Sequence, residues 1–326
     1  MNVGFFLAHF TDRGTDVATY DYAHYNETIL KNNSYIICFT LKAQERAQLP
    51  ADRTTYDKFK LRFKVIEIED INEMANVIAE YNLNIFYTQA HGGTPIYQFG
   101  NKHIWQNCKT IKHCVFFTTC PEGDFYWSIS NYLNKRHNTN IPVVPYMVNL
   151  PDCDENLREQ LNIPKDAIII GRYGSKDTFN IQIAHDAIKE FLDVDKNVYF
   201  VFMNTHKFYE HSRVIYLDGT VDLHEKTKYI NTCDAMIHAR GDGETFGLAI
   251  AEFSSKNKPV ITMPCGYLEH IELLGDKGIL YHSKEELIDI FKNIKTIISS
   301  RTDWNAFSNY SPEKVMSIFS NACHYG

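Results

Sequence analysis

Through the first 150 residues, short apolar runs at 3–7, 35–41, 64–68, 85–89, 114–119 and 142–147 alternate with longer segments whose apolar positions recur three and four apart. A short apolar run between polar residues fits a strand buried on both faces, and the longer period fits a helix with one buried face. Helices are predicted over 15–31, 71–81 and 125–136. A further helical stretch over 44–63 must be interrupted at Pro50, because proline lacks the amide donor and clashes with the preceding turn. Strand–helix–strand repetition of this kind folds as a parallel sheet.

Pro145, Pro151 and Pro164 bracket an acidic, polar stretch at 152–162 where the rhythm pauses, as a domain link would. It resumes with strands predicted over 167–171, 198–203, 214–217, 235–239, 259–263 and 278–281. The intervening helices fall at 179–192, 222–231, 246–256 and 284–299. Two doubly wound, Rossmann-like α/β domains of similar size are expected, 1–150 and 151–302, facing a cleft. Residues 303–326 are left as a final helical segment.

Charge and cysteine usage narrow the function classes. Forty acidic against 33 basic residues give a net charge of −7 over 326 residues, so no whole-chain field favours nucleic acid or anionic membranes. Any phosphate must be held locally. The stretch 42–64 holds seven basic and three acidic residues, net +4, and reads as a solvated helix–loop, with peripheral membrane contact as the alternative. The eight cysteines form no C-x-x-C pair, which argues against a zinc ribbon or a dithiol redox site and for reduced thiols. The apolar opening at 3–7 has no basic lead and is broken by His9, Asp12 and Arg13, so it reads as a strand rather than a signal peptide. No stretch approaches the roughly 18 apolar residues of a membrane span. A cytoplasmic location is expected, with the sequons at Asn26 and Asn32 as chance matches.

The candidate chemistry sits in two strand-to-helix loops. In the segment Arg240-Gly241-Asp242-Gly243-Glu244-Thr245-Phe246-Gly247-Leu248-Ala249-Ile250-Ala251-Glu252, Phe246, Ala249, Ile250 and Phe253 make one buried helix face. Glu252 falls about 110° from the centre of that face at its flank, and Glu244 precedes the helix. Two carboxylates straddling a helix N-terminus suit a phosphorylated sugar, since the amides attract anions and the carboxylates accept hydroxyls. The alternative is that Glu244 complements the helix dipole and Glu252 is solvated. The second loop, Gly171-Arg172-Tyr173-Gly174-Ser175-Lys176-Asp177, offers a planar guanidinium and an ammonium to a diphosphate, with a surface salt-bridge loop as its alternative. Lys176 lacks the Walker A lead, and no G-x-G-x-x-G follows the first strand, which weakens nucleotide triphosphatase and dinucleotide oxidoreductase readings. The triplets Asp152-Cys153-Asp154 and Asp193-Val194-Asp195 occupy a link and a helix end, so no metal site is expected.

Together these residues resemble the retaining GT-B glycosyltransferases, above all glycosyltransferase family 4. Glu244 and Glu252 match its E-x7-E motif, Thr245-Phe246-Gly247-Leu248 its F-G-L core, and Lys258-Pro259-Val260-Ile261 the strand that follows. Arg172 and Lys176 fall where the family carries its diphosphate-binding Arg and Lys, although the usual Lys-Gly pair is Lys176-Asp177 here. The resemblance is specific over 167–263 and looser elsewhere. It implies a GT-B fold and a nucleoside diphosphate sugar as donor, held by the C-terminal domain without metal or cofactor. Glu252 would lie on the ribose, Glu244 with the backbone of Thr245, Phe246, Gly247 and Leu248 near sugar and phosphates, Gly171 in the phosphate loop, and Thr220 and Val221 at the base.

The resemblance further implies transfer of a hexose-like sugar to a hydroxyl of a carbohydrate or glycoconjugate, with retention. Arg172, Lys176 and Glu244 would be the catalytic set, with no protein nucleophile. The N-terminal domain would hold the acceptor. Arg13, an acceptor candidate, and Gly14, a donor-binding one, follow the first strand in a loop that resembles the family's Gly-containing loop between donor and acceptor; His91 ends another strand, and Glu122 and Asp124 follow Cys120 where relatives carry a histidine. Residues 303–326 would pack back on that domain. The rival readings are an epimerase or hydrolase acting on a nucleotide sugar, and a nonenzymatic nucleotide-sugar-binding partner subunit.

Overall fold

A computed structural model describes residues 1–11 and 13–324; Asp12, next to the acceptor candidate Arg13, and the last two residues of the final segment lie outside the described residues. The chain divides into two compact units, 1–147 with 310–326, and 148–309.

In the first unit β1 (Asn2–Leu7), β2 (Asn33–Phe39), β3 (Lys64–Ile68), β4 (Ile85–Ala90), β5 (Lys109–Cys114) and β6 (Phe125–Ser128) form one parallel sheet in the order β3-β2-β1-β4-β5-β6. Val3, Phe5, Phe6 and Leu7 are buried, which puts β1 in the middle of the sheet. The strand order reverses between β1 and β4, and in such sheets the ligand crevice lies outside the carboxyl ends at that reversal.

Three expectations fail here. Residues 125–128 are a strand, and the helix is only Asn131–His137, started by the Ser130 hydroxyl accepting from the Leu133 amide. The aromatic run Phe125-Tyr126-Trp127 pairs with β5 and buries Phe125 and Trp127, so sheet packing outweighs the helical pattern. The strand expected at 114–119 lies instead at Lys109–Cys114, and 142–147 contributes one bridge, Ser128 to Val143. Lys112 and His113 disguised β5. Both are fully buried: the Lys112 ammonium donates to the Thr94 and Cys120 carbonyls at 2.9 Å, and His113 Nδ1 meets the Tyr87 hydroxyl at 2.8 Å. The last helix, Pro312–His324, belongs to this unit and seats Phe319 against Tyr22, Tyr87 and Trp127 at centroid distances of 5.3–5.8 Å.

The second unit repeats the plan. Its strands are β7 (Ile168–Tyr173), β8 (Val198–Met203), β9 (Val214–Leu217), β10 (Ala235–His238), β12 (Val260–Thr262) and β14 (Gly278–Leu280), parallel in the order β14-β12-β10-β7-β8-β9. A two-residue parallel ribbon, β11 (Gly243–Glu244) with β13 (Tyr267–Leu268), lies beside it. Ile170, Ile188, Phe191, Phe200, Phe202, Ile237 and Phe291 pack the core. This order reverses between β7 and β10. Arg172 lies near the end of β7 and Glu244 in the connection that follows β10, so both are at the reversal.

Candidate functional site

Glycine fixes the loop after β10. Gly243 has φ +65°, and a Cβ there would lie 2.1 Å from the Tyr267 carbonyl oxygen, so the β11–β13 ribbon closes only on glycine. Gly247, φ +89°, is the left-handed residue from which the helix Leu248–Ser255 starts. Between them Glu244 is held at both oxygens. Oε1 meets His238 Nε2 at 3.3 Å and Oε2 accepts from Arg240 at 3.1 Å, while about a fifth of the side chain stays exposed. Burial pushes this carboxyl up, but the His238 hydrogen bond and the Arg240 guanidinium outweigh it and hold it down at about 2. His238 Nδ1 meets the Thr262 hydroxyl at 2.9 Å across the β10–β12 pairing. Behind His238, 5.0 Å away between ring centres, His270 is fully buried; burial first, then the neighbouring His238, lowers it to about 3.

Glu252 is not solvated. It is buried on the helix Leu248–Ser255 and its Oε1 lies 2.9 Å from the ammonium of Lys226, both side chains being about 5% exposed. Its Oε2 is buried without a hydrogen-bond partner among the described residues. Lys226 comes from the polar helix Leu223–Thr232 and also sits 4.9 Å from the Tyr173 ring centre. The helix Leu223–Thr232 covers Glu252, so the alternative of a solvated carboxylate fails.

Arg172 does not present its fork. At 3% exposure, it donates to the Asn204 carbonyl (2.9 Å), the Thr205 hydroxyl (2.6 Å), the Ser175 carbonyl (2.7 Å) and the Thr178 hydroxyl (2.6 Å). That spends all four terminal N–H bonds on protein oxygens, and burial lowers the guanidinium to about 10. Gly171 likewise packs inward, since a Cβ there would meet Cys233 Sγ at 2.2 Å. Lys176 is exposed, with no side-chain hydrogen bond or ion pair among the described residues, and Asp177 beside it pairs with His206 at 2.9 Å. Thr220 and Val221 follow the edge strand β9 and are half-buried; the Thr220 hydroxyl accepts from the Asp222 amide. Thr245 and Phe246 are buried, and Gly247 and Leu248 begin the helix.

In the first unit, exposed Arg13 precedes the helix Gly14–Thr28, and exposed His91 follows β4 with its ring 4.7 Å from Phe117. Both lie at carboxyl ends of strands. The other two acceptor candidates are occupied. Glu122 Oε1 accepts from the Ile96 amide at 2.6 Å and lies 3.5 Å from the Lys112 ammonium. Asp124 opens β6, at the opposite edge of the sheet, where it accepts from the Thr110 amide and hydroxyl and from Lys109. His238, Arg240, Lys226 and His270 were missed by sequence reasoning. Only Arg240 carried a signal, four residues before Glu244 in the same loop.

Among the described residues no group of three or more His, Cys, Asp or Glu is placed to hold a metal ion, and no helix is long and apolar enough to cross a membrane. No family model and no curated protein matches the chain. Solved structures do. A glycosyltransferase from Rickettsia africae ESF-5 superposes with a TM-score of 0.73 at 16% identity, covering 100% of this chain and 99% of that one. Anabaena Alr3699/HepE in complex with UDP-glucose gives 0.68 at 14% identity, covering 99% and 98%. A putative UDP-N-acetylglucosamine 2-epimerase from Listeria monocytogenes gives 0.58 at 14%, covering 97% and 94%. Full-length agreement of both six-stranded units with such structures establishes that this chain has the GT-B fold.

Proposed function

We propose that this chain is a glycosyltransferase that moves a sugar from a nucleoside diphosphate sugar to a hydroxyl acceptor with retention. The observation that carries the reading is Glu244, a charged carboxylate pinned at both oxygens yet partly open, at the strand-order reversal and beside a helix N-terminus. In this reading Glu244 accepts a hydroxyl of the donor sugar. The helix N-terminus and Lys176 meet the diphosphate, and the backbone from Thr245 to Leu248 approaches it closely. Arg172 acts through the loop it clamps, by fixing Gly174 to Thr178 against the end of β8. Glu252 keeps Oε1 on Lys226 and offers a ribose its second oxygen, which is buried, so the base end of the site needs an opening step. Thr220 and Val221 remain the candidates for the base.

Retention without a protein nucleophile fits the acidity of Glu244. A carboxyl held at about 2 is a weak proton acceptor at neutral pH, so it serves as a fixed charge rather than as a general base. The acceptor proton would pass to the departing phosphate oxygen, whose growing charge is met by preorganised donors. Arg13 and His91 are the acceptor-side residues this reading retains. It also assumes a reducing compartment, where the eight thiols stay free.

A second reading, epimerisation or hydrolysis of a nucleotide sugar, is favoured by the epimerase among the structural neighbours, though at a lower TM-score. Incubation with donor alone, followed by chromatography, separates the two. An epimerase returns an isomerised nucleotide sugar and a hydrolase free sugar, whereas a transferase consumes donor only when an acceptor is added. The anomeric coupling constant of the product then tests retention.

A further inference from the structure

We propose that His238, braced by Thr262, is a positioning residue that fixes the Glu244 carboxylate to receive a hydroxyl of the donor sugar; this rests on the donor reading above. His238 is the last residue of β10 and lies opposite Thr262 in β12, so the sheet register sets the ring beside that hydroxyl. The ring bridges Thr262 Oγ1 at 2.9 Å and Glu244 Oε1 at 3.3 Å. An ionised carboxylate has no proton to give, so the shared proton belongs to His238 Nε2. Nδ1 meets the Thr262 hydroxyl, and that contact holds the ring in the orientation that reaches Glu244.

Arg240 holds the other carboxylate oxygen, so each oxygen spends one lone pair on the protein and keeps the rest as acceptors. Both groups behind the bridge are shut away from water, Thr262 fully and His238 to 7% exposure, while the Glu244 side chain keeps 21%. The brace is therefore internal and the carboxylate faces outward. A carboxylate immobilised before the ligand arrives loses little freedom on binding, and a ligand hydroxyl donates to it without competing for the inner lone pairs.

The test is a calorimetric comparison on the full chain of UDP with UDP-glucose, UDP-galactose and UDP-N-acetylglucosamine. Wild type, His238→Ala, His238→Gln, Thr262→Val, Glu244→Gln and the double variant His238→Ala/Glu244→Gln are compared. For the sugar that binds best, the gain in affinity over UDP should fall about tenfold in His238→Ala and less in Thr262→Val, while UDP itself changes by less than about twofold. His238→Gln, whose amide N–H can reach the same oxygen, should recover most of the gain. The double variant should lose no more than Glu244→Gln alone, the mark of one residue acting through another. Equal losses for UDP and UDP-sugar, a full additional loss on top of Glu244→Gln, or no gain over UDP in the wild type overturns the proposal while leaving nucleotide binding intact. If wild type prefers GDP, ADP, CDP or dTDP to UDP, the same comparison is made with that nucleotide and its sugars; wild type that binds none of the five overturns the donor reading itself and this proposal with it. If His238→Ala does not fold, His238→Gln and Thr262→Val decide: a Thr262→Val gain equal to wild type overturns the bracing role.

Discussion

Replacing Arg172 by methionine distinguishes a loop clamp from a direct phosphate ligand. The side chain is 3% exposed, and its removal breaks four charge-assisted hydrogen bonds, to the Asn204 and Ser175 carbonyls and the Thr205 and Thr178 hydroxyls. The Ser175 carbonyl keeps the Thr178 amide and hydroxyl as donors, and the two hydroxyls can rotate to other partners. The loss is therefore set by the buried bond to the Asn204 carbonyl, a hydrogen bond to a charged group worth about 1.5–3 kcal/mol. A loss of about 2 kcal/mol is expected. In a unit of this size that lowers the melting temperature by about 4–8 °C, at 2–4 °C per kcal/mol. Thermal unfolding measured with and without UDP gives both quantities on one sample. The clamp account expects Arg172→Met to lose this stability without ligand, and Arg172→Lys to regain little, since one ammonium cannot span four acceptors in a plane. A variant within about 0.5 kcal/mol of wild type that has lost UDP binding would refute it and return Arg172 to the phosphate.

Three further expectations concern charge and metal. The Glu244 carboxyl lies at about 2 in the folded chain, below its ordinary value of 4.5, so its stabilisation is complete above pH 4.5 and disappears as pH falls toward 2; acid unfolding of wild type and Glu244→Gln should converge across that window. Lys226→Met leaves Glu252 as an uncompensated buried carboxylate and should cost about 3–5 kcal/mol in urea unfolding, most of which Lys226→Met/Glu252→Met should restore, because the pair rather than either charge is accommodated. Turnover of a nucleotide sugar should survive excess EDTA, since Lys176 and helix amides are assigned to the diphosphate; activity that returns only with manganese or magnesium would contradict that assignment.

What the sequence disclosed follows the physics of each segment. The strands 198–203 and 214–217 coincide with β8 and β9 because Val-Tyr-Phe-Val-Phe-Met and Val-Ile-Tyr-Leu are uninterrupted β-forming runs between turn residues. β5 and β6 were misread because Lys112 and His113 look solvent-facing until their partners arrive from other parts of the chain, and because an aromatic run carries no sign of its period. The Glu244 loop was legible as local sequence: two carboxylates, glycines and the onset of a helix lie within nine residues. Its electrostatics were not, since His238 and His270 come from other elements and are brought up by the β10–β12 register and the β11–β13 ribbon. Arg172 shows the same limit. Its identity and place at a strand end could be read, but its acceptors at 204 and 205 come from the end of β8, and they turn an apparent phosphate fork into a clamp.

The most direct test of the central claim is the release of nucleoside diphosphate from a panel of nucleotide sugars, with and without a mixture of carbohydrate acceptors, by wild type and Glu244→Gln. The account predicts release that depends on acceptor and falls about 10²-fold in Glu244→Gln, the size expected when a preorganised charge at the reacting sugar is removed. Release that ignores acceptor, or an unchanged rate in a folded Glu244→Gln variant, would contradict it.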